Sequence, residues 1–265
     1  MILIGERINA SFKDIARAIQ EKEKGPVQEW ACKQAEAGAD YLDVNIGAAS
    51  KRPEDMAWLV EAVQEVVPTP ISVDSTNIEI VKAGLKATDG RPVLINSTTA
   101  DDKKLEQLVP LAIEYNAGLI GVAMDERGSP QDVARRVENG AKIFAAAVEG
   151  GLEPERIFLD PILMPLKFMQ DQAKNVLEAI QQYTVLSDPP PHISVGLSNI
   201  CSKAAERSLI SRTFVVMAIA LGLDAAVCNV LDDDLLDAIA TAELILNKEI
   251  YSDSYLQAFR MKAIS

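Results

Sequence analysis

The sequence holds one histidine, His192, and three cysteines, Cys32, Cys201 and Cys228, in 265 residues. One histidine rules out a multi-histidine zinc site and most Ser-His catalytic arrangements. The cysteines stand far apart, no pair has metal-ligand spacing, and an odd, sparse count argues against a disulfide framework. Cations are also scarce: Lys and Arg total 26 against 39 Asp and Glu, a net charge of −13. Such a surface repels nucleic acid and anionic membranes. No unbroken apolar run approaches the ~18 residues of a membrane-spanning helix. The opening MILIGERINA has no basic stretch leading into an apolar one, so it does not read as a secretory signal. These absences predict a cytoplasmic protein without a metal site and without nucleic-acid or membrane partners. Its chemistry is left to carboxylates, amides and a bound small molecule.

What is present is an alternation. Short runs rich in Val, Ile and Leu read as strands: MILIGERI (1–8), YLDVNIG (41–47), ISVDS (71–75) and VLINS (93–97), then LIGVAM (119–124), IFLDP (157–161), ISVGLS (193–198) and AAVCNV (225–230). They mostly lack polar alternation, as parallel strands covered on both faces do. Amphipathic stretches separate them. VQEWACKQAEAGA reaches Gly38, a helix stop. PEDMAWLVEAVQEVV opens with Pro53 and two acids, a helix start. The helix over DDKKLEQLVPLAIEYNAG carries Pro110, a possible site of a kink, and DDD at 232–234 reads as the acidic start of the last barrel helix. No linker or composition break marks a boundary. Eight strands, each followed by a helix, predict a (β/α)8 TIM barrel in one domain over 1–265. A doubly wound open sheet is the second architecture compatible with the pattern.

Several strands end abruptly on a hydrogen-bonding residue. Glu6, Arg7 and Asn9 follow the first strand, and Asp43 and Asn45 lie on the second. Asp74, Asn96 and Asp160 end the third, fourth and sixth, Ser198 and Asn199 the seventh, and Asn229 the eighth. In a barrel these positions share one mouth, where active sites lie. A structural reading exists for each residue alone, because strand-end polar groups cap following helices. Ser75 and Thr76 are placed to do so before NIEIV, and Thr98 and Thr99 before ADDKK. For Asp74, Asn96 and Asp160 together, a ligand is the better account. The set is rich in acceptors and amides and poor in cations, which disfavours a phosphate substrate. A carboxylate accepts two parallel N–H bonds from a 2-amino group and its neighbouring ring N–H, and an amide matches a ring nitrogen beside a carbonyl. Guanine, pterin and folate all present that edge, and composition does not choose among them. His192 leads an apolar strand, away from the mouth.

The strand motifs in order are GERIN (5–9), DVNIG (43–47), SVDST (72–76), INST (95–98), DP (160–161) and GLSN (196–199). This ordered set resembles the pterin-binding methyltransferases, most of all the methyltetrahydrofolate:corrinoid/iron-sulfur protein methyltransferases. The resemblance runs from Met1 to about Leu246. It implies a dihydropteroate synthase-like barrel, usually a homodimer, that binds tetrahydrofolate or 5-methyltetrahydrofolate. By motif, Asp74, Asn96 and Asp160 bind the pterin. Asn199 reaches N5 and, with Asp74, is catalytic, Gly196 and Ser198 line the same loop, and Glu6, Asn9 and Asp43 support. The implied reaction moves a methyl group between N5 and the cobalt of a cobalamin carried by a separate corrinoid protein, in either direction. No corrinoid-binding Asp-x-His-x-x-Gly motif and no thiolate zinc site are present, so cobalamin is expected on a transient partner. Mouth loops at 125–132 and 202–209 depart from the family and are where a different corrinoid partner would be read. Dihydropteroate synthases carry cations after strands seven and eight; here LSNIC and the acidic NVLDDD stand there. A dihydropteroate synthase-type enzyme and a non-catalytic folate-binding protein remain the alternatives.

Overall fold

The computed structural model describes residues 1–262, with side chains to residue 259. The apolar runs form eight parallel strands: β1 (Ile2–Asn9), β2 (Tyr41–Asn45), β3 (Ile71–Asp74) and β4 (Val93–Thr99), then β5 (Gly118–Val122), β6 (Ile157–Asp160), β7 (His192–Gly196) and β8 (Ala225–Cys228). Each pairs with its sequence neighbour, and β8 closes onto β1. The sheet is therefore a closed barrel and not the open doubly wound alternative. Helices α1 (Lys13–Glu21) and α2 (Lys24–Glu36) follow β1. Then come α3 (Pro53–Gln64), α4 (Ile78–Ala87), α5 (Asp102–Glu114), α6 (Val133–Glu149), α7 (Gln170–Tyr183), α8 (Arg207–Ala220) and α9 (Asp233–Ile245), one after each remaining strand, and finally α10 (Tyr255–Lys262).

Side chains alternate across a strand, so one parity points into a barrel and the other against the helices. Ile4, Leu94, Ile120, Phe158 and Ala225 meet in the interior, with Ile2, Tyr41, Val122 and Val227 against them. The opposite parity, including Leu42, Val44, Ile71, Val73, Leu159 and Val195, joins the larger core under the helices. The interior phase carries straight to the site: Tyr41 leads to Asp43, Ser72 to Asp74, Leu94 to Asn96, and Phe158 to Asp160. An apolar floor and a polar mouth thus share one face of the same strands. His192 stands at the opposite end from the mouth, its ring stacked on Phe158 at 4.6 Å and its Nδ1 2.7 Å from Asp224 Oδ2.

Two features of the helices differ from expectation. α1 was not foreseen; its N-cap, Phe12, offers no capping side chain, and Lys22 closes it in the left-handed region at φ 58°. The helix caps after β3 and β4 are not Ser75, Thr76, Thr98 or Thr99. Asn77 accepts from Glu79 N–H, and Asp101 from Lys104 N–H. Those bonds satisfy the first-turn donors, so Asp74, at the end of β3, and Asn96, inside β4, are not engaged in capping. Asp232 caps α9 by accepting from Leu235 N–H, as the acidic run predicts. Pro110 lies inside α5, which continues through it. Gly38, just past α2, adopts φ 93°, where a side chain would be strained.

Candidate active site at the barrel mouth

The mouth holds an open pocket of about 430 Å³, within the range of small-molecule sites. Glu6, Asn9, Asp43, Asp74, Asn96, Asp160, Gly196, Ser198 and Asn199 all line it, over a floor of Ile120, Val122 and Val227. The structure therefore brings together every residue singled out for the pterin. Glu6 and Asn9 lie within β1 rather than after it, and a register shift between Gly5 and Ile8 interrupts the pairing there. A second shift falls between Asn96 and Thr98 on β4. Such bulges re-aim side chains beside active sites.

Asp160 is the best-prepared acceptor. Its Oδ1 accepts from Ile162 N–H at 2.8 Å and its Oδ2 from Gly196 N–H at 3.2 Å. Each oxygen keeps a further lone pair, so two parallel N–H donors can still be accepted. Burial pushes its pKa up to about 6, against the lowering effect of those two backbone bonds. Ile162 pays for this geometry with a positive φ of 63°, unusual for a β-branched residue.

Asp43 and Asp74 form an interacting pair on the opposite wall. Asp43 Oδ1 accepts from Ser72 Oγ at 2.7 Å and from Asn96 Nδ2 at 3.0 Å. Asp74 Oδ2 accepts from Asn45 Nδ2 at 2.5 Å. Burial raises the pKa of both, and the neighbouring Asp74 charge raises Asp43 further, well above the usual carboxylate range. Interaction between two buried carboxyls disfavours ionising both at once. Glu6 is also raised by burial, opposed by a 2.7 Å hydrogen bond from Ser198 Oγ and by the charge of Arg207.

Asn199 ends a short 3-10 turn, Leu197–Asn199, directly after β7, and is exposed. Its side-chain amide makes no hydrogen bond with the described residues. A Cβ at Gly196 would come within 2.9 Å of its Nδ2, so glycine there lets the amide lie close over the strand end. Asn229 is placed differently: it lines a neighbouring cavity with Cys201 and Cys228, and its Oδ1 accepts from Leu231 N–H in a local turn. Arg7 also leaves the pocket. Its guanidinium is sandwiched 4.1 Å from the rings of Phe12 and Trp30 and bonds Asp14 at 2.6 Å.

Sequence reasoning missed Arg207. The first residue of α8 lines the pocket, so the mouth does carry a cation after β7. The residue lies eight positions past Asn199 in a helix start, where spacing from the strand gave no signal. The loop at 125–132 is held to itself: Asp125 pairs with Arg127 and Arg135, whose hydrogen bonds hold its carboxyl far below the usual range. Among the described residues, no group of three or more His, Cys, Asp and Glu side chains is arranged to hold a metal, and no helix is long and apolar enough to cross a membrane.

Comparison with known proteins matches this geometry. The pterin binding enzyme family matches residues 5–229. A methylcorrinoid:tetrahydrofolate methyltransferase of Eubacterium limosum is 32% identical over 267 aligned positions, covering 100% of this chain and 98% of that protein. Methionine synthase of Mycobacterium leprae is 26% identical over 86% of this chain, which matches only 20% of that larger protein. Among solved structures, dihydropteroate synthase of Xanthomonas albilineans with 7,8-dihydropteroate superposes with a TM-score of 0.67 at 17% identity, covering 92% of this chain and 93% of that one. At that identity the likeness concerns the fold. The family match across most of the barrel and the full-length relative show that the chain belongs to the pterin-binding enzymes.

Proposed function

We propose that the protein is a methyltransferase that moves a methyl group between N5 of tetrahydrofolate and the cobalt of a separate corrinoid protein. The full-length relative's name supports the direction from methylcorrinoid to tetrahydrofolate. The observation that carries the reading is the pairing, in one pocket, of Asp160 with two open acceptor positions and Asn199 with an unengaged amide. Asp160 takes the 2-amino group and adjacent ring N–H of the pterin, and Asn96 and Asp74 take the remaining polar edge. This fixes the ring so that N5 lies under Asn199.

The corrinoid partner supplies a cobalt-bound methyl group. N5 takes the methyl carbon as the bond to cobalt breaks, and the electron pair of that bond stays with cobalt. N5 then gives up its proton to water at the open mouth of the pocket. The Asn199 carbonyl accepts a hydrogen bond from protonated N5 and steadies the charge as it develops. In the reverse direction the same contact supports a protonated N5, which is the better leaving group. The Asp43–Asp74 pair is a proton reserve within the pocket. The remainder of catalysis is orientation. The chain works as one domain over 1–265, of which residues 263–265 lie outside the described residues, as a cytoplasmic homodimer that meets its corrinoid protein transiently.

The test is a spectroscopic methyl-transfer assay with methylcobalamin and tetrahydrofolate, and with cob(I)alamin and 5-methyltetrahydrofolate. Interconversion of the cobalamin spectra at an enzyme-dependent rate is expected. Binding of tetrahydrofolate without transfer to free or protein-bound cobalamin would make the protein a folate carrier. Arg207 favours one second reading, a dihydropteroate synthase-type reaction, because a cation beside the pterin site suits an anionic leaving group. Pyrophosphate release with 4-aminobenzoate and a pterin pyrophosphate would establish that instead.

A further inference from the structure

Arg136, on α6, is completely buried. Its Nε donates to Pro161 O at 2.9 Å, its Nη1 to Asp132 O at 3.3 Å, and its Nη2 to Gln172 Oε1 at 2.8 Å. All three acceptors are neutral. Burial lowers its pKa, while Tyr183, Asp132 and Asp171 act through space in the other direction. A buried guanidinium without a directly bonded carboxylate is a costly way to hold two helices together, since apolar side chains do so with less desolvation.

What it grips suggests another use. The carbonyl of Pro161 and the N–H of Ile162 belong to one peptide group. Arg136 bonds the oxygen end, and Asp160 Oδ1 accepts from the nitrogen end at 2.8 Å. A cation on the carbonyl polarises the peptide and strengthens its N–H as a donor. The gripped peptide is the one that leads into Ile162, whose φ is 63°. Without an anchor, a β-branched residue would leave that conformation, and the N–H would turn away from the carboxylate.

We infer that Arg136 is a positioning residue for the pterin site: through the Pro161–Ile162 peptide it aims the Asp160 carboxylate and supports its ionised form. The inference rests on Asp160 being the pterin acceptor, as proposed above. Other titratable groups surround Asp160. Glu6, Asp43, Asp74 and Arg207 line the same pocket, and Tyr183 lies behind it. None of these side chains bonds the peptide group that Arg136 and Asp160 hold from its two ends.

The experiment measures tetrahydrofolate affinity against pH by calorimetry for the intact protein and for Arg136→Met. The variant is expected to bind about tenfold more weakly near neutrality, and the midpoint of its pH profile should rise by about one unit. Arg136→Gln keeps a donor for Pro161 but no charge. It covers the case in which the methionine variant does not fold, and its midpoint should move the same way. A folded variant whose melting temperature drops while affinity and midpoint stay unchanged would make Arg136 a purely structural residue and overturn the inference. If the unsubstituted protein binds no tetrahydrofolate, the fault lies instead with the assignment of Asp160 to the pterin.

Discussion

Lowering the pH should weaken pterin binding through Asp160 well before the fold suffers. Two parallel N–H donors require an ionised carboxylate, because a protonated one turns a donor toward them. In the ligand-free protein burial sets the pKa at about 6. At about pH 8 nearly all molecules are ready to bind; at about pH 5 roughly a tenth are, so affinity should fall about tenfold. Binding at about pH 5.5 should release roughly 0.8 proton per pterin, which calorimetry in buffers of different ionisation enthalpy would count. A pterin analogue without a basic N5 removes the ligand's own titration from the measurement. The effect on stability has the opposite sign. Because the folded-state pKa is raised from 3.8 to about 6, the folded chain holds this proton more tightly than the unfolded one. The ligand-free protein therefore gains from this group as pH falls from about 6 toward 4, and the ionised form costs about 3 kcal/mol above that window. Asp125, whose carboxyl is held low by Arg135 and Arg127, gives up its contribution only at more acid pH. An affinity that stays flat from about pH 8 to 5, or the absence of proton release, would refute the role given to Asp160.

Asn199→Ala should slow methyl transfer by about 100-fold or more while tetrahydrofolate affinity changes far less, because its bond to N5 strengthens as charge develops; equal losses in the two would reduce Asn199 to a binding contact. Asp43→Asn should fold with an unchanged or higher melting temperature at about pH 8, since an amide keeps the acceptor for Ser72 and Asn96 and removes a buried carboxyl of raised pKa. A drop of more than about 5 °C, roughly 1–2 kcal/mol in a protein of this size, would show that the ionised form of Asp43 is needed for folding.

The parts of the site that could be read from sequence were those whose polarity broke an apolar run. Asp74 and Asp160 end their strands and Asn96 lies inside β4, three residues before its end; all three follow buried residues, and the interior parity carries them to the mouth. The residues that shape them left fainter traces. Bulges beside Glu6 and Asn96 arise from register, which no single strand reveals. The helix caps Asn77 and Asp101 stand one to three positions beyond the hydroxyls that the sequence offered as candidates. Arg136 did leave a trace: it falls in helical phase with Asn139, Gly140, Ile143 and Ala147, all buried. An arginine in phase with an apolar stripe is a signal, masked here by its neighbour Arg135, which bonds Asp125. Ile162 offered none, because its left-handed backbone is imposed by contacts from other elements rather than by its own side chain.

The apolar interior formed by Leu94, Ile120 and Phe158 makes the barrel a cup with one opening. In the proposed reaction, folate and the corrinoid carrier use that same opening. Folate then has to enter before the carrier docks and cannot leave until it departs, so turnover follows a compulsory order. The carrier's dissociation, rather than methyl transfer itself, becomes the step that sets how often a folate is exchanged, and an excess of carrier would trap the product it helped to make.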